Sequence, residues 1–315
     1  MGGAHAPVML EEIVEIFATV PQGTILDATL GGAGHAVAII RRHEQLRVMG
    51  VDRDPTAVAN ALALRDTLEP AEAQRFSVHH ARFDHLEAVM EQAGIEQLSG
   101  ALFDLGVSSP QLDIAERGFS YRNDGPLDMR MDTTATLSAD DVVNRYDEHA
   151  LADVLRRHAD ERFAPRIARA IVAARPVRGT AHLAEIVTAA IPAATRRTGG
   201  HPAKRTFQAI RIEVNSELDV LPAALSAAMR RTSVGGRVAV LSYHSGEDRI
   251  VKSEMARAEF DRSAPIVATP FAHPSRTTPR VWRKVKVSPT PTDAEVGRNP
   301  RAASARLRVM ERVAQ

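Results

Sequence analysis

The chain has 315 residues, 44% of them hydrophobic and 25% charged, with no cysteine and a formal net charge of +1. That length holds two domains or one domain with a large insertion, and the balance of residue types is that of a soluble globular protein. Disulfides and thiolate metal sites are excluded. No apolar run spans a bilayer and no basic-then-apolar secretory pattern opens the chain, so a cytoplasmic setting without a membrane partner or a metal is expected.

Residues 7–19 predict a first helix, with Val8, Leu10, Ile13, Val14, Ile16 and Phe17 on one face and Glu11, Glu12 and Glu15 on the other. Thr24-Ile25-Leu26-Asp27 then reads as a short strand ending in an acid. The glycine-rich turn Gly31-Gly32-Ala33-Gly34-His35 follows and opens a helix at Ala36. Such a turn leaves backbone N–H groups facing a ligand that glycine lets approach closely. Leu46–Asp52 is a second acid-tipped strand, and Asp54-Pro55 starts the next helix. An acid in the place of Asp52 accepts hydrogen bonds from ribose hydroxyls, so the pair of strand ends suits an adenosine-containing cofactor.

Residues 75–80 predict a third strand, with Phe83 in the loop after it. Leu98–Val107 predicts a fourth strand, again carrying an acid, Asp104. Strands and helices alternating in this way give a parallel α/β sheet with ligands at the C-terminal strand ends, where Asp27, Asp52, Phe83 and Asp104 fall.

After Gln111 the rhythm changes. Residues 113–136 are loop-like, and residues 138–191 are helical in pattern with no strand, which marks an inserted helical subdomain. Phe207 to Met229 predicts one long helix broken at Gly235-Gly236. Arg237–Tyr243 is a buried strand, and residues 280–287 and 304–310 alternate as a closing hairpin. The expected organisation is a cofactor domain over 1–112, a helical insertion over 113–206 that recognises substrate, and the rest of the cofactor domain over 207–315. A seventh strand added by that hairpin separates methyltransferase sheets from dehydrogenase sheets by fold analogy.

Cations concentrate after Asp261: Arg262, Arg276, Arg280, Arg283, Lys284, Lys286, Arg298, Arg301, Arg306, Arg308 and Arg312 stand against Asp293, Glu295 and Glu311. They form an expected cationic face for a polyanionic partner. A second basic stretch runs from Arg196-Arg197 through His201 to Lys204-Arg205. With Arg117, Arg122 and Arg130 it is expected to hold an RNA backbone, phosphate contacts positioning a strand from which one base is flipped.

The sharpest constellation is Asp104-Leu105-Gly106-Val107-Ser108-Ser109-Pro110-Gln111. An exocyclic amine of a nucleobase is a poor nucleophile because its lone pair is delocalised into the ring. Acceptors on its N–H groups localise that pair as a new bond forms, and positioning supplies much of the rest. Asp104, Ser108 and Ser109 are the candidates for this catalytic role. The element resembles the Ser/Asp-Pro-Pro-Tyr loop of amino-group methyltransferases, with Gln111 where a second proline would stand. A stacking ring must then come from Phe119, Tyr121 or Tyr243.

The chain resembles the bacterial methyltransferases that modify N4 of a cytidine in the decoding region of 16S ribosomal RNA. The likeness is carried by His5–Leu10, Gly31–His35, Val51–Pro55, Asp104–Gln111, Glu116–Ser120, Asp124–Asp132, Glu161–Ala164, Arg205–Arg211, Asn215–Leu218 and His244-Ser245. It implies a class I, Rossmann-like, seven-stranded methyltransferase sheet with an inserted all-helical subdomain, S-adenosylmethionine as donor, and 16S ribosomal RNA or the small subunit as partner. A monomer and a homodimer both remain open. By the same resemblance Ala33, Gly34, His35, Asp52, Phe83, Asp104 and Gln111 contact the donor, with Phe83 against the adenine. Asp104 could hold the donor or accept from the target amine, and His35 at a helix start suits hydrogen bonding rather than charge. Ala33 stands where a glycine is common, and Gly246 where a bulkier apolar residue is. The rival readings are a nicotinamide-dependent oxidoreductase and a non-catalytic RNA-binding assembly factor.

Overall fold

A computed structural model of the chain describes residues 7–193, 200–259 and 280–314. Contacts divide it into two compact units, Met1–Gly106 with Val220–Gln315, and Val107–Asp219.

In the first unit, seven strands among the described residues form one sheet in the order β3-β2-β1-β4-β5-β7-β6. They are β1 Gly23–Asp27, β2 Leu46–Asp52, β3 Phe76–His80, β4 Leu98–Asp104, β5 Thr232–Ser242, β6 Trp282–Lys284 and β7 Arg306–Arg312. The first five pair in parallel; β7 runs antiparallel to both β5 and β6. A dinucleotide-binding sheet lacks that inserted reversed strand, so the order is that of a class I methyltransferase, with the helical unit as its insertion.

Successive residues of the central strands enter opposite cores. Ile25, Leu102, Ala239 and Leu241 join α1 (Leu10–Ile16) and α2 (Gly34–Arg42) on one face. Leu26, Phe103, Val238 and Val240 join the helices of the other face. Those strands are therefore apolar throughout rather than alternating, as burial on both faces requires. The outer elements of this unit are α3 Pro55–Arg65, α4 Pro70–Ala73 and α5 Leu86–Gln92.

The second unit holds α6 Ser109–Asp113, α7 Ala139–Arg145, α8 Glu148–Ala159, α9 Ala164–Ala173, α10 Thr180–Ala190 and α11 Lys204–Asn215 around its own apolar core. α12 Glu217–Arg231 crosses the division, and α13 Ser245–Ala258 and α14 Asp293–Arg298 return to the first unit.

Three sequence expectations change. The single helix over 207–229 is two, because Ser216 turns left-handed at φ 50 and ends α11. α11 packs with the helical unit, which therefore runs over 107–219 rather than 113–206. Gly235-Gly236 lies inside β5 rather than before it. Leu98 pairs with Thr232 and Gly100 with Arg237, so the glycines sit in a bulge, Gly235 at φ 81.

The loop-like block 113–136 is close-packed. A Cβ on Gly118 would fall 2.1 Å from the Pro126 carbonyl, and one on Gly125 1.9 Å from that of Ala115. Buried Asn215 fastens the block: its Oδ1 accepts the Met131 N–H at 2.8 Å, and its Nδ2 donates to Met129 O and Arg211 O at 2.7 and 2.9 Å.

Candidate active site

The turn after β1 is shaped by left-handed residues, Gly31 at φ 49 and Ala33 at φ 59, the second immediately before α2. Only glycine fits at 34, since a Cβ there would lie 2.4 Å from Pro7 Cγ. The turn is pinned to the neighbouring strand end, where Asp52 Oδ2 accepts the Gly31 N–H at 2.7 Å and Oδ1 accepts the Asp54 N–H at 2.8 Å. Asp52 thus positions the glycine turn through its carboxylate oxygens.

Three carboxylates cap adjacent strands. Asp27 is 2% exposed, and burial, reinforced by repulsion from Asp104 and Asp52 and opposed by its bond from the Thr29 N–H, pushes its pKa up to about 7. Burial also raises Asp52, against the backbone N–H groups of Asp54 and Gly31 that favour its charged form. It raises Asp104 as well, against the nearby His35 and the Tyr243 hydroxyl. Acids held above their ordinary range by lost hydration gain most from a cation brought among them.

Asp104 is anchored on every side. Its N–H donates to Thr29 Oγ1 at 2.6 Å, Oδ1 accepts from the Tyr243 hydroxyl at 2.6 Å, and Oδ2 lies 3.7 Å from His35 Nδ1. His35 Nε2 is 3.0 Å from the Val8 carbonyl and donates to it, so the buried ring joins the segment before α1 to the tip of β4. Tyr243 packs beside Gly106, where a Cβ would lie 3.3 Å from the ring; Gly106 is itself left-handed at φ 97. Buried Glu247 accepts the Tyr243 N–H at 2.7 Å and fixes the turn into α13.

Sequence reasoning missed Thr29, Glu247 and the acid-holding role of Tyr243. The His244-to-Glu247 spacing of a capping box was the one signal available for Glu247. Phe83 is half-buried and meets Phe103 edge-on, with ring centroids 6.0 Å apart, at the mouth of the same strand ends.

In the second unit Ser108 caps α6 and exchanges bonds with Gln111, whose Oε1 accepts the Ser108 N–H at 3.0 Å. Gln111 is therefore a buried loop-holding residue as well as a candidate contact for the methyl donor, while Ser109 is half-buried. Arg117 donates to the Arg130 and Met131 carbonyls. Arg130 forks onto Asp128 at 2.7–3.0 Å and donates to Ala135 O. These two guanidiniums, expected at RNA phosphates, brace the loop they close. Lys204 and Arg205 are exposed in the first turn of α11, whereas Arg196 and Arg197 lie outside the described residues. Phe119 is a core residue, which removes it as a surface stacking ring.

The C-terminal cationic face is neutralised in part. Glu311 accepts from Arg237 and Arg283, Asp248 pairs with Arg308, and Glu259 with Arg280. Two of those acids precede the tail, so counting charge within the tail alone overstated its field; Arg262 and Arg276 lie outside the described residues.

Residues 3–313 match the family model described as the MraW methylase family. The chain belongs to that family. Its members are methyltransferases, and this one is an S-adenosylmethionine-dependent enzyme. Ribosomal RNA small subunit methyltransferase H of Thermobifida fusca is 50% identical, the match covering 98% of this chain and 93% of that one. The protein of the same name in Kocuria rhizophila is 49% identical over 98% and 94%. Among solved structures, an rRNA methylase from Streptococcus thermophilus aligns over 96% of this chain and 93% of that one at 11% identity, with a TM-score of 0.41. The MraW assignment rests on the family match and on the two relatives, not on that last likeness.

Proposed function

We propose that the protein methylates the exocyclic N4 amine of a cytidine in the decoding region of 16S ribosomal RNA. The observation that carries the donor half of this reading is the convergence of Asp27, Asp52 and Asp104 at adjacent strand ends beside the Gly31–Gly34 turn. S-adenosylmethionine supplies an electrophilic methyl on a sulfonium and carries a second positive charge on its amino group. Buried acids whose proton affinity is raised fit a ligand of that charge.

The chain's own residues divide the remaining work. Gly34 lets Pro7 pack against the turn, Ala33 and His35 flank it, and Asp52 accepts from ribose hydroxyls. Phe83 covers the adenine. Asp104, held by Tyr243 and His35, accepts an N–H of the target amine and so localises its lone pair. Ser108 and Ser109 offer further acceptors, and Gln111 keeps that turn in shape. Positioning and acceptor placement together account for most of the lowering of the barrier in such a transfer.

On the acceptor side, Lys204 and Arg205 bind phosphates, with Arg196 and Arg197 as further candidates. Reversing Lys204 and Arg205 weakens RNA binding and flattens its dependence on salt, with affinity for S-adenosylhomocysteine unchanged. The partner is the small ribosomal subunit or its RNA, and the enzyme works in the cytoplasm as a monomer or homodimer. Among the described residues no helix is long and apolar enough to cross a membrane. Methyl transfer from labelled donor to 16S RNA, scored against an unmodified control, tests the whole reading. Incorporation at a cytidine amine supports it, and transfer to another atom or none refutes it.

A further inference from the structure

We propose that His201 and Tyr121 form a stacking platform for an unpaired RNA nucleotide; this rests on RNA being the acceptor. Their rings are stacked, with centroids 4.5 Å apart and planes inclined by 22°. Behind them the buried ring of Phe207 meets Tyr121 edge-on at 5.8 Å and 80°. A column of three rings therefore runs from the core of the helical unit through half-buried Tyr121 to exposed His201.

The outer ring is fixed. His201 Nδ1 accepts the Ala203 N–H at 3.2 Å, and the His201 carbonyl accepts the Lys204 N–H at 3.0 Å. That acceptor role leaves the proton of the neutral ring on Nε2, so the exposed imidazole presents a flat face and one donor. A base arriving on a ring already held by the core and by a hydrogen bond has little side-chain freedom to freeze.

Cations stand at the margin. The Arg122 guanidinium lies 5.8 Å from the Tyr121 ring centre, and Lys204 and Arg205 follow His201 closely in the chain. Neither Lys204 nor Arg205 forms an ion pair among the described residues. Flat rings for bases beside unpaired cations for phosphates is the arrangement that binds single-stranded RNA.

The rival role for His201 is to cap the start of α11, and two variants separate the roles. His201→Asn keeps an acceptor for the Ala203 N–H and loses the ring, whereas His201→Phe keeps a ring and loses the acceptor. Binding of 16S RNA, KM for RNA and the melting temperature are measured for both beside the wild type. Stacking predicts that His201→Asn loses about tenfold or more in RNA affinity, that His201→Phe retains most of it, and that S-adenosylhomocysteine binds all three alike. RNA binding by His201→Asn equal to wild type, or weakened in the Phe variant and retained in the Asn one, overturns the platform while leaving RNA as acceptor. If the wild type itself neither binds nor methylates RNA, the acceptor reading fails and the platform with it.

Discussion

The Tyr243 hydroxyl donates to Asp104 Oδ1 at 2.6 Å, and this bond sets the state of the acid at the tip of β4. Burial raises the proton affinity of Asp104, while His35 and the Tyr243 hydroxyl oppose that rise. In Tyr243→Phe burial acts with less opposition, so the carboxylate forms only at higher pH. The rising limb of the kcat profile should move to higher pH, with kcat reduced about tenfold or more below it and less above it. A variant that loses rate equally at every pH would show Tyr243 acting by packing alone.

Asp27 links donor binding to protons. Its pKa is about 7 in the folded chain against an ordinary value of 3.8. Between those values the native state holds a proton that the unfolded chain has released. Stability of the free protein should therefore fall as pH rises through that window and level off above it. Binding a cationic donor favours the carboxylate, so affinity should rise with pH toward 7 and binding should release protons. Calorimetry in buffers of different ionisation heat measures that release. Asp27→Asn should lessen the stability slope and the proton release together, leaving the share of Asp52 and Asp104; a slope unchanged in the variant would assign it elsewhere.

Ala33 sits at φ 59, a left-handed conformation that a Cβ disfavours. Ala33→Gly relieves that strain and adds freedom to the unfolded chain, with a net gain of roughly 0.5 kcal/mol expected. Denaturant midpoints check the sign. Gly34→Ala should be far worse, because its Cβ meets Pro7 at 2.4 Å.

Asn215 satisfies three backbone groups of the helical unit from a buried position. Asn215→Ala strands the Met131 N–H and the Met129 carbonyl, which should destabilise by about 2–3 kcal/mol. Chemical denaturation followed by circular dichroism reads the loss, and a change within 0.5 kcal/mol or so would contradict the role.

Much of the sheet was legible because three of the five parallel strands are apolar runs stopped by an acid: Asp27, Asp52 and Asp104 mark their ends. The turn at Ser216 was not, because a left-handed serine carries no mark that glycine would have given. Nor was the bulge at Gly235, which resembles a helix stop in a linear reading. Contacts such as Tyr243 with Asp104 and Asn215 with Met131 join residues far apart in sequence, so no periodicity records them. The bonds of Arg117 and Arg130 were hidden for a related reason, since a charge in a sequence does not reveal the carbonyl or carboxylate that holds it.

The central claim is tested most directly by mapping methylated nucleosides in 16S RNA from cells with and without the gene, then adding back purified protein and labelled donor. The account predicts one N4-methylated cytidine in the decoding region that disappears with the gene and returns, labelled, with wild-type protein but not with Asp104→Ala. An unchanged set of modified nucleosides, or label on any atom other than a cytidine amine, would contradict it.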